Sequence, residues 1–306
     1  MLTKPQLARF VHSSGVGDPS FAEKEVVLTY LLQLLVERGF IDRVVFKGGT
    51  CIRKMLLGNR GRFSTDLDFT ARIEVPDPDG EILALAEALE EPFHGIRFRL
   101  ELGNEKEWRS SEGTTWAVYP TYEHGLGSGS IKFEVSLRET PIIAPMLVPQ
   151  LGQAYFAHLE FEPAPIPCLH ECELIAEKLR AAYQRRKARD IYDLAVFSNR
   201  PCNEALIRKA LILKLWNVRT RFDAAAFDAR LQEKQHYDWD DLFSLIPKRD
   251  RETPEVMLGR VRRGFAFLAA LTDAEAELAA DAAQRRRATA EVLHGECRPL
   301  AGTGPS

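Results

Sequence analysis

Residues 46–69 read FKGGTCIRKMLLGNRGRFSTDLDF. Gly48 and Gly49 end an apolar run, and because they lack side chains they allow backbone amides to approach an anion closely. Asp66 and Asp68 alternate along a later apolar run, so both carboxylates leave a strand on the same side and can share a divalent cation. A phosphate cradle followed by metal-binding carboxylates is typical of phosphoryl or nucleotidyl transfer.

The first half of the chain has a mixed helix and strand pattern. Asp18 is a plausible cap with Pro19 at the first helical position, and the apolar helix that they begin ends at Gly39. The glycine-rich HGLGSGS at residues 124–130 suits a hairpin turn. The other predicted elements are a strand over Val44–Phe46, a helix over Thr50–Leu57, strands over Asp66–Ala71, Ile96–Leu102, Thr115–Tyr122 and Ile131–Leu137, and a turn and helix within Pro76–Glu91.

The second half of the chain is almost entirely helical in pattern. The segment Thr140–Pro167 is rich in proline, and we place the domain boundary there. With Asn203 and Thr272 as caps, the predicted helices are Glu171–Lys187, Asp190–Phe197, Asn203–Trp216, Ala224–Glu233, Trp239–Leu245, Pro254–Leu271 and Ala274–His294. The predicted fold is α+β, with a mixed-sheet α/β domain over residues 1–150, an all-α domain over residues 151–298 and a disordered tail over residues 299–306.

The composition excludes several classes of protein. No run approaches the roughly 20 apolar residues that a membrane span needs, and the first residues lack the apolar core of a signal peptide, so we expect a cytoplasmic protein. The five cysteines are an odd number, which does not indicate a disulfide framework. Because the net charge is −3, any contact with nucleic acid needs a local basic patch.

A third carboxylate, Glu134, lies on the strand pattern IKFEVSLRE. Phe133 and Val135 belong to its apolar face, and Glu134 belongs to the polar face. A lone D-x-D is more often a solvated strand edge than a metal site. If this strand pairs beside Asp66–Ala71, however, three carboxylates form a two-metal site, in which one ion activates the attacking hydroxyl and the other holds the triphosphate.

The glycine turn indicates a function only because the carboxylate motifs follow it in the sequence. GGT at the start of a helix offers free amides at the positive end of the helix dipole, and the Thr50 hydroxyl can contact a phosphate oxygen. The turn fits neither G-x-x-x-x-G-K-[ST] nor G-x-G-x-x-G. A glycine pair before a helix is usually plain turn chemistry, so the downstream carboxylates carry the functional interpretation.

A basic helix follows the boundary. If helix continues over Glu171–Arg189, Lys178, Arg185 and Arg189 lie on one side of it and suit a triphosphate or an RNA backbone. Alternatively, Arg186 and Arg189 pair with carboxylates four residues further on, as on an ordinary solvated helix face.

These motifs together resemble a known family. KGGTCIRKMLLGNRGRFSTDLDF resembles the first motif of the AbiEii/AbiGii-type nucleotidyltransferase toxins, approximately KGGTALR…RFSEDLDF, within the superfamily that has the polymerase-β-like fold. IKFEVS resembles their lysine–hydrophobic–acid motif, and ELIAEKLRAAYQRRKARDIYDLAVF resembles their EKL-A…R…KDIYDL motif. The motifs occur in the expected order over roughly Phe46–Phe197.

The resemblance implies a role for each residue that matches a family motif. The residue patterns described above add Arg185 and Glu134 to these residues. We expect nucleotide binding by Gly48, Gly49, Thr50, Ser64, Thr65, Lys178 and Arg185. We expect metal binding by Asp66, Asp68 and Glu134, and catalytic roles for Asp66, Asp68, Lys178 and Asp190. The chain departs from the family pattern at Thr65, where an acidic residue is frequent, and at Glu134, which replaces Asp and lengthens the arm.

The resemblance also implies a function. It indicates a toxin of a toxin–antitoxin or phage-defence system that uses Mg²⁺ or Mn²⁺ to transfer NMP from an NTP to RNA, with the tRNA 3′ end as acceptor, releasing pyrophosphate. The expected partner is an antitoxin of the winged-helix DNA-binding type. Two alternatives stay open: transfer to a protein hydroxyl or a small molecule such as an aminoglycoside, and a non-catalytic nucleotide-binding module.

Overall fold

The computed structural model describes residues 1–73, 78–103, 108–110 and 113–298. The tail predicted over residues 299–306 and the turn predicted at Pro76 lie outside these residues. The first of two compact units comprises Met1–Pro141, Pro145–Leu169 and Ser244–Arg249, and the second comprises Ile142–Ala144, His170–Phe243 and the described residues from Asp250 onward. No helix in the described ranges has both the length and the apolar character that crossing a membrane requires.

The helices of the first unit include α1 (Lys4–Ser14), α2 (Pro19–Glu37), α3 (Gly48–Cys51) and α4 (Pro78–Ala88). The predicted cap of α2 is confirmed, because the Asp18 carboxylate accepts a hydrogen bond of 2.9 Å from the Ser20 amide. Most of α2 from Val26 to Leu35 is buried, so this helix supplies much of the core of the unit.

Two sheets complete the first unit. The strands among the described residues are β1 (Val44–Lys47), β2 (Leu67–Ala71), β3 (Arg97–Arg99), β4 (Trp108–Arg109), β5 (Thr115–Val118), β6 (Thr121–His124), β7 (Gly127–Ser130), β8 (Phe133–Ser136), β9 (Met146–Val148) and β10 (Ile166–Cys168). The larger sheet has the order β4-β5-β8-β2-β1-β10-β9, and the smaller has the order β3-β6-β7. The β2–β8 and β1–β10 pairs are parallel and β1–β2 is antiparallel, so the predicted mixed sheet is confirmed.

The strand predicted over Thr115–Tyr122 is two strands. It divides before Thr121, so that β5 joins the larger sheet and β6 the smaller one. Pro120 lacks a backbone N–H and cannot donate to a sheet ladder, which suits this division. HGLGSGS is a turn only at its centre, because its last four residues form β7 and pair with β6.

The helix predicted after the glycine pair starts two residues early and changes its geometry. Helix α3 begins at Gly48 itself and continues as a π-helix over Ile52–Leu57, after which Gly58 adopts a positive φ of 55°. Short π-helical segments are rare and occur often at functional sites.

The second unit is helical, as predicted. Its described α-helices are α5 (Glu171–Gln184), α6 (Ala188–Phe197), α7 (Glu204–Asn217), α8 (Ala224–Arg230), α9 (Trp239–Ser244, whose last residue is assigned to the first unit), α10 (Pro254–Gly264), α11 (Asp273–Ala280) and α12 (Arg287–Cys297). Both predicted caps are confirmed: Asn203 accepts from the Leu206 amide at 3.0 Å, and Thr272 forms a capping box with Glu275.

Four predicted helices are too long by three residues or more, among them the one expected to reach Glu233, which ends at Arg230. The helix expected over Ala274–His294 is two helices, because the chain leaves helical geometry after Ala280 and reaches a positive φ of 55° at Gln284. The helix expected to reach Leu271 ends at Gly264. The helix expected to reach Lys187 ends at Gln184, since Arg185 is extended with φ −134°.

The larger sheet extends past the boundary predicted after residue 150. Strand β10 (Ile166–Cys168) lies between β1 and β9, with Phe46 paired to Cys168. The first unit therefore includes chain that the sequence interpretation assigned to the helical domain.

Candidate active site

The first glycine of the cradle lies directly under a carboxylate. Gly48 has a φ of 77°, in the left-handed region that favours glycine. A Cβ built on Gly48 would lie 2.1 Å from Asp68 Oδ2, closer than any atom pair tolerates. The glycine turn and the D-x-D motif, which are separated in sequence, therefore meet in the structure.

The second glycine is covered by the residues that precede the D-x-D motif. A Cβ on Gly49 would lie 2.5 Å from Arg62 Nη2 and 3.0 Å from Ser64 Oγ. Both side chains are buried. Their guanidinium and hydroxyl groups add hydrogen-bond donors beside the N-terminus of α3, where anions bind favourably.

Thr50 and Thr65 both contact Asp66. The Thr50 hydroxyl is fully buried and donates to the Asp66 carbonyl at 2.5 Å, which ties the glycine turn to the start of β2. The Thr65 hydroxyl donates to Asp66 Oδ1 at 3.3 Å. Because the Thr50 hydroxyl hydrogen is engaged here, its contact with a phosphate stays a prediction.

Two of the three predicted metal ligands, Asp68 and Glu134, lie on adjacent strands, and Asp66 directly precedes β2. In the parallel β2–β8 pair Asp68 is registered with Glu134, and in the β1–β2 pair it is registered with Lys47. The carboxylate-bearing residues are partly exposed, while Phe69 and Phe133 are buried. The predicted pairing of IKFEVS beside Asp66–Ala71, and the predicted face of Glu134, are therefore confirmed.

Lys132 lies among these carboxylates. Its Nζ atom is 2.5 Å from Glu134 Oε2, and the two side chains are 35% and 28% exposed. Burial by itself lowers the pKa of Lys132, but the hydrogen bond to Glu134 and the charges of Glu134, Asp68 and Asp66 outweigh it and raise this pKa overall. The ammonium therefore lies in the field of all three carboxylates.

The donor set suits a hard divalent cation. Among the residues that the structure describes, no three His, Cys, Asp or Glu side chains converge into a preformed metal cage. Mg²⁺ usually takes only one or two protein carboxylates and completes its shell with water and substrate phosphates. Asp66 and Asp68, beside the glycine cradle, fit this mode of binding, with Glu134 adjacent.

The second unit contains a buried ionic cluster on α5 and α6. Lys178 Nζ lies 3.2 Å from Asp190 Oδ1 and 2.8 Å from Asp193 Oδ2, and Arg185 Nε lies 2.8 Å from Asp190 Oδ2. Burial raises the pKa of Asp190, but Lys178 and Arg185 outweigh burial and lower it to about 2. Lys178, Arg185 and Asp190 are thus brought together as charged groups.

The predicted single basic face does not form. Because α5 ends at Gln184, Lys178, Arg185 and Arg189 do not share one helix. The same break separates Arg186 from Asp190, whereas Arg189 and Asp193 both lie on α6, so their pairing stays a prediction. Arg186 instead pairs with Glu233, and Arg189 Nε lies 3.2 Å from Asp241 Oδ2. Of the three cations, Lys178 and Arg185 still meet, through Asp190.

Comparison with known proteins identifies the family. The model of the AbiEii nucleotidyl transferase toxins, described as a type IV toxin–antitoxin system, matches residues 30–285. The chain belongs to the AbiEii family. It is therefore a nucleotidyltransferase and a toxin, and membership in this family implies a cognate antitoxin.

One solved structure agrees with this assignment. MenT4, a nucleotidyltransferase toxin from Mycobacterium tuberculosis, is similar with a TM-score of 0.81 and 27% identity, over 97% of this chain and 100% of that chain. JHP933 from Helicobacter pylori has a TM-score of 0.49 and 16% identity over 83% and 93% of the two chains, which is too weak to support an argument. No curated protein sequence matches the chain.

Within this AbiEii chain, the sequence interpretation missed three residues that contact the predicted ones. Arg62 covers Gly49, Lys132 bonds to Glu134, and Asp193 bonds to Lys178. Each had a signal: Arg62 begins the RFS element, Lys132 shares the polar face of Glu134, and Asp193 lies three residues after Asp190 on a helix.

Proposed function

We propose that this toxin transfers a nucleoside monophosphate from an NTP to an RNA acceptor, the 3′ end of tRNA, with release of pyrophosphate. The observation that carries the proposal is the arrangement in the first unit, where Asp68 lies over Gly48 and beside Glu134. A site for phosphate and a site for its counter-cation are thereby adjacent, as transfer from a triphosphate requires.

The residues of the first unit bind and orient the triphosphate in this proposal. The amides at the start of α3 and the guanidinium of Arg62 receive phosphate oxygens. Asp66, Asp68 and Glu134 are the residues that would hold Mg²⁺, with Mn²⁺ as the substitute. When bound, the ion supplies charge neutralisation at the phosphates and lowers the pKa of the acceptor hydroxyl.

We extend the proposal to the ionic cluster of the second unit. Lys178 contacts nucleotide phosphates, and Asp190 and Asp193 orient its ammonium, which they hold at 3.2 and 2.8 Å. Arg185 is 60% exposed although it binds Asp190, so its guanidinium can also reach a phosphate.

For the antitoxin, we propose a winged-helix DNA-binding protein encoded next to the toxin. The family implies an antitoxin but not its type. Expression of the toxin alone is expected to arrest growth, and co-expression of the neighbouring helix-turn-helix gene is expected to restore it. If co-expression of this gene leaves growth arrest unchanged, the proposed partner is wrong.

The transfer proposal is tested with each NTP, labelled at the α-phosphate, in the presence of total tRNA and Mg²⁺. We expect label on tRNA, and a loss of at least about 100-fold in Asp66→Ala because a ligand of the ion that neutralises the phosphates is removed. Asp240→Ala, which removes an exposed carboxylate from α9, is the matched control and should retain activity.

Other outcomes of this experiment select the alternatives. Label on a protein or an aminoglycoside but not on RNA indicates a different acceptor, which the net charge of −3 leaves open. Absence of transfer with every NTP, together with NTP binding that does not depend on Mg²⁺, indicates a non-catalytic module.

A further inference from the structure

We propose that the Lys132 ammonium takes the place of a second cation at Glu134, so that the site binds one divalent ion and not two. The inference rests on the function proposed above, because it concerns the same carboxylates. It assigns a role to a lysine that neither the D-x-D motif nor the glycine cradle includes.

The strand geometry places Lys132 within the carboxylate cluster. Lys132 directly precedes β8 and lies two residues before Glu134, and because its ammonium contacts the Glu134 carboxylate, the two side chains project from the same face. The Leu67 amide donates to the Lys132 carbonyl at 2.9 Å, and Asp68 is registered with Glu134. Asp66 and Asp68, at the start of β2, thus lie alongside Lys132 and Glu134, at the start of β8, as two neighbouring pairs; Asp66 and Lys132 directly precede their strands.

The contact between Lys132 and Glu134 engages a specific carboxylate oxygen. Lys132 Nζ lies 2.5 Å from Glu134 Oε2, and at 35% and 28% exposure neither side chain is freely solvated. A second divalent ion on Glu134 would have to displace this ammonium or lie within a few ångströms of it, and like charges at such a distance repel strongly.

The charge of the cluster agrees with a single ion. Three carboxylates and the Lys132 ammonium leave two net negative charges, and Lys47, registered with Asp68 on β1, offsets one more, so one divalent ion is enough to balance the cluster. The long arm of Glu134 also suits this arrangement, because it reaches back along its own strand to Lys132. In place of the metal-binding role proposed for Glu134 above, Lys132 neutralises Glu134, and Asp66 and Asp68 are the ligands of the one ion.

The test counts bound Mn²⁺ in the full chain without nucleotide, using the electron paramagnetic resonance signal of free Mn²⁺. We expect one Mn²⁺ per chain in the wild type and in Lys132→Arg, and two in Lys132→Met. Lys209→Met is the matched control, because it removes the ammonium from a Lys–Glu pair of 2.8 Å elsewhere in the fold, and it should still bind one Mn²⁺.

Thermal unfolding of every variant checks that the fold is retained. If Lys132→Met unfolds, the Mn²⁺ counts of the wild type and of Lys132→Arg, which keeps the positive charge, still test the inference. Two Mn²⁺ in the wild type, none in the wild type, or one in a folded Lys132→Met would each overturn the inference. The transfer assay is read separately. If the wild type transfers NMP to RNA but binds two Mn²⁺, only the role proposed for Lys132 is wrong. If the Mn²⁺ counts are as expected but no transfer occurs, only the proposed function is wrong.

Discussion

The Asp68 carboxylate lies directly above the Cα of Gly48. The backbone of Gly48 has a conformation that residues with a side chain rarely adopt. Two independent constraints act on this residue: its φ of 77°, and the 2.1 Å that would separate a Cβ from Asp68 Oδ2. The first constraint concerns only the backbone. The second links the phosphate cradle to a proposed metal ligand, so a substitution here moves both at once.

We predict that Gly48→Ala lowers the rate of NMP transfer by about 100-fold or more, because a misplaced carboxylate disturbs the reacting geometry. Gly39→Ala is the matched control, since Gly39 has a φ of 72° but no atom within 4 Å of a built Cβ. Both variants lose stability through the left-handed backbone, Gly48→Ala further through the clash with Asp68, and only Gly48→Ala should have a lower kcat in its folded form. Equal kcat values in the labelled-NTP assay would contradict the role of the Asp68 contact.

Asp190 makes stability depend on pH. Its pKa is lowered from 3.8 to about 2, so its ionised form stabilises the fold at pH values above 3.8, and this contribution is lost as the pH falls towards 2. The shift corresponds to about 2 kcal/mol in the free energy of unfolding.

We therefore predict that Asp190→Asn differs most from the wild type above about pH 4, and that the difference shrinks by about 2 kcal/mol as the pH approaches 2. Urea unfolding of both proteins at a series of pH values measures this. A difference in free energy that does not change with pH would show that the charge of Asp190 does not contribute in this way.

At the scale of elements, a buried carboxylate on α2 holds the π-helix that follows the cradle. Glu25 is fully buried; Arg53 Nε lies 2.9 Å from its Oε2 and Lys54 Nζ 3.1 Å from its Oε1. Arg53 also donates to the Gly61 carbonyl and stacks 3.9 Å from the centroid of the Phe63 ring. The helix is thereby connected to the RFS element that covers Gly49.

Lys54, the second cation that contacts Glu25, also donates hydrogen bonds to polar groups of distant segments. Lys54 Nζ donates to the Thr29 hydroxyl at 2.8 Å and to the Tyr155 hydroxyl at 3.3 Å. Burial lowers the pKa of Lys54 despite the attraction of Glu25, whereas the two cations outweigh burial and lower the pKa of Glu25. The carboxylate is thus the only negative group among the residues that these contacts join.

We predict that Glu25→Gln costs about 3–5 kcal/mol of unfolding free energy, because it leaves two buried cations without their counter-charge. Glu255→Gln is the matched control. It breaks a Lys234–Glu255 pair whose side chains are both 55% exposed, and because such exposed pairs contribute little, the loss should be much smaller than in Glu25→Gln. Chemical denaturation of both variants decides, and equal losses would contradict the prediction.

At the scale of the whole molecule, the chain returns to the first unit after it has entered the second. Strand β10 lies between β1 and β9, and Ser244–Arg249 also belongs to the first unit, where the Phe63 amide donates to the Leu245 carbonyl at 2.9 Å. The strand that leads into the glycine cradle therefore depends on residues far along the chain.

We predict that a fragment of residues 1–150 does not unfold cooperatively, because β1 would lose β10 and become an exposed edge of the sheet. A fragment of residues 1–169 restores that strand and should give a higher soluble yield. Thermal unfolding followed by circular dichroism compares both fragments with the full chain. A transition of the 1–150 fragment at the melting temperature of the full chain would contradict this account.

Local features were readable from the sequence because they depend on residues within one or two turns. The cap of α2 at Asp18, the caps Asn203 and Thr272, and the polar face of Glu134 follow from neighbouring residue types and strand periodicity. The order of the glycine turn, the D-x-D and the later motifs was likewise sufficient to predict the fold class and the family.

Only the tertiary structure decided which of these groups meet. The Asp68 carboxylate lies over Gly48, the Lys132 ammonium contacts Glu134, and Arg185 reaches Asp190 because α5 ends at Gln184, before its predicted end. These contacts depend on strand register, helix ends and burial, which are set by packing between segments distant in the chain. Periodicity cannot specify them, because a pattern shows which face of an element is polar but not which element lies beside it.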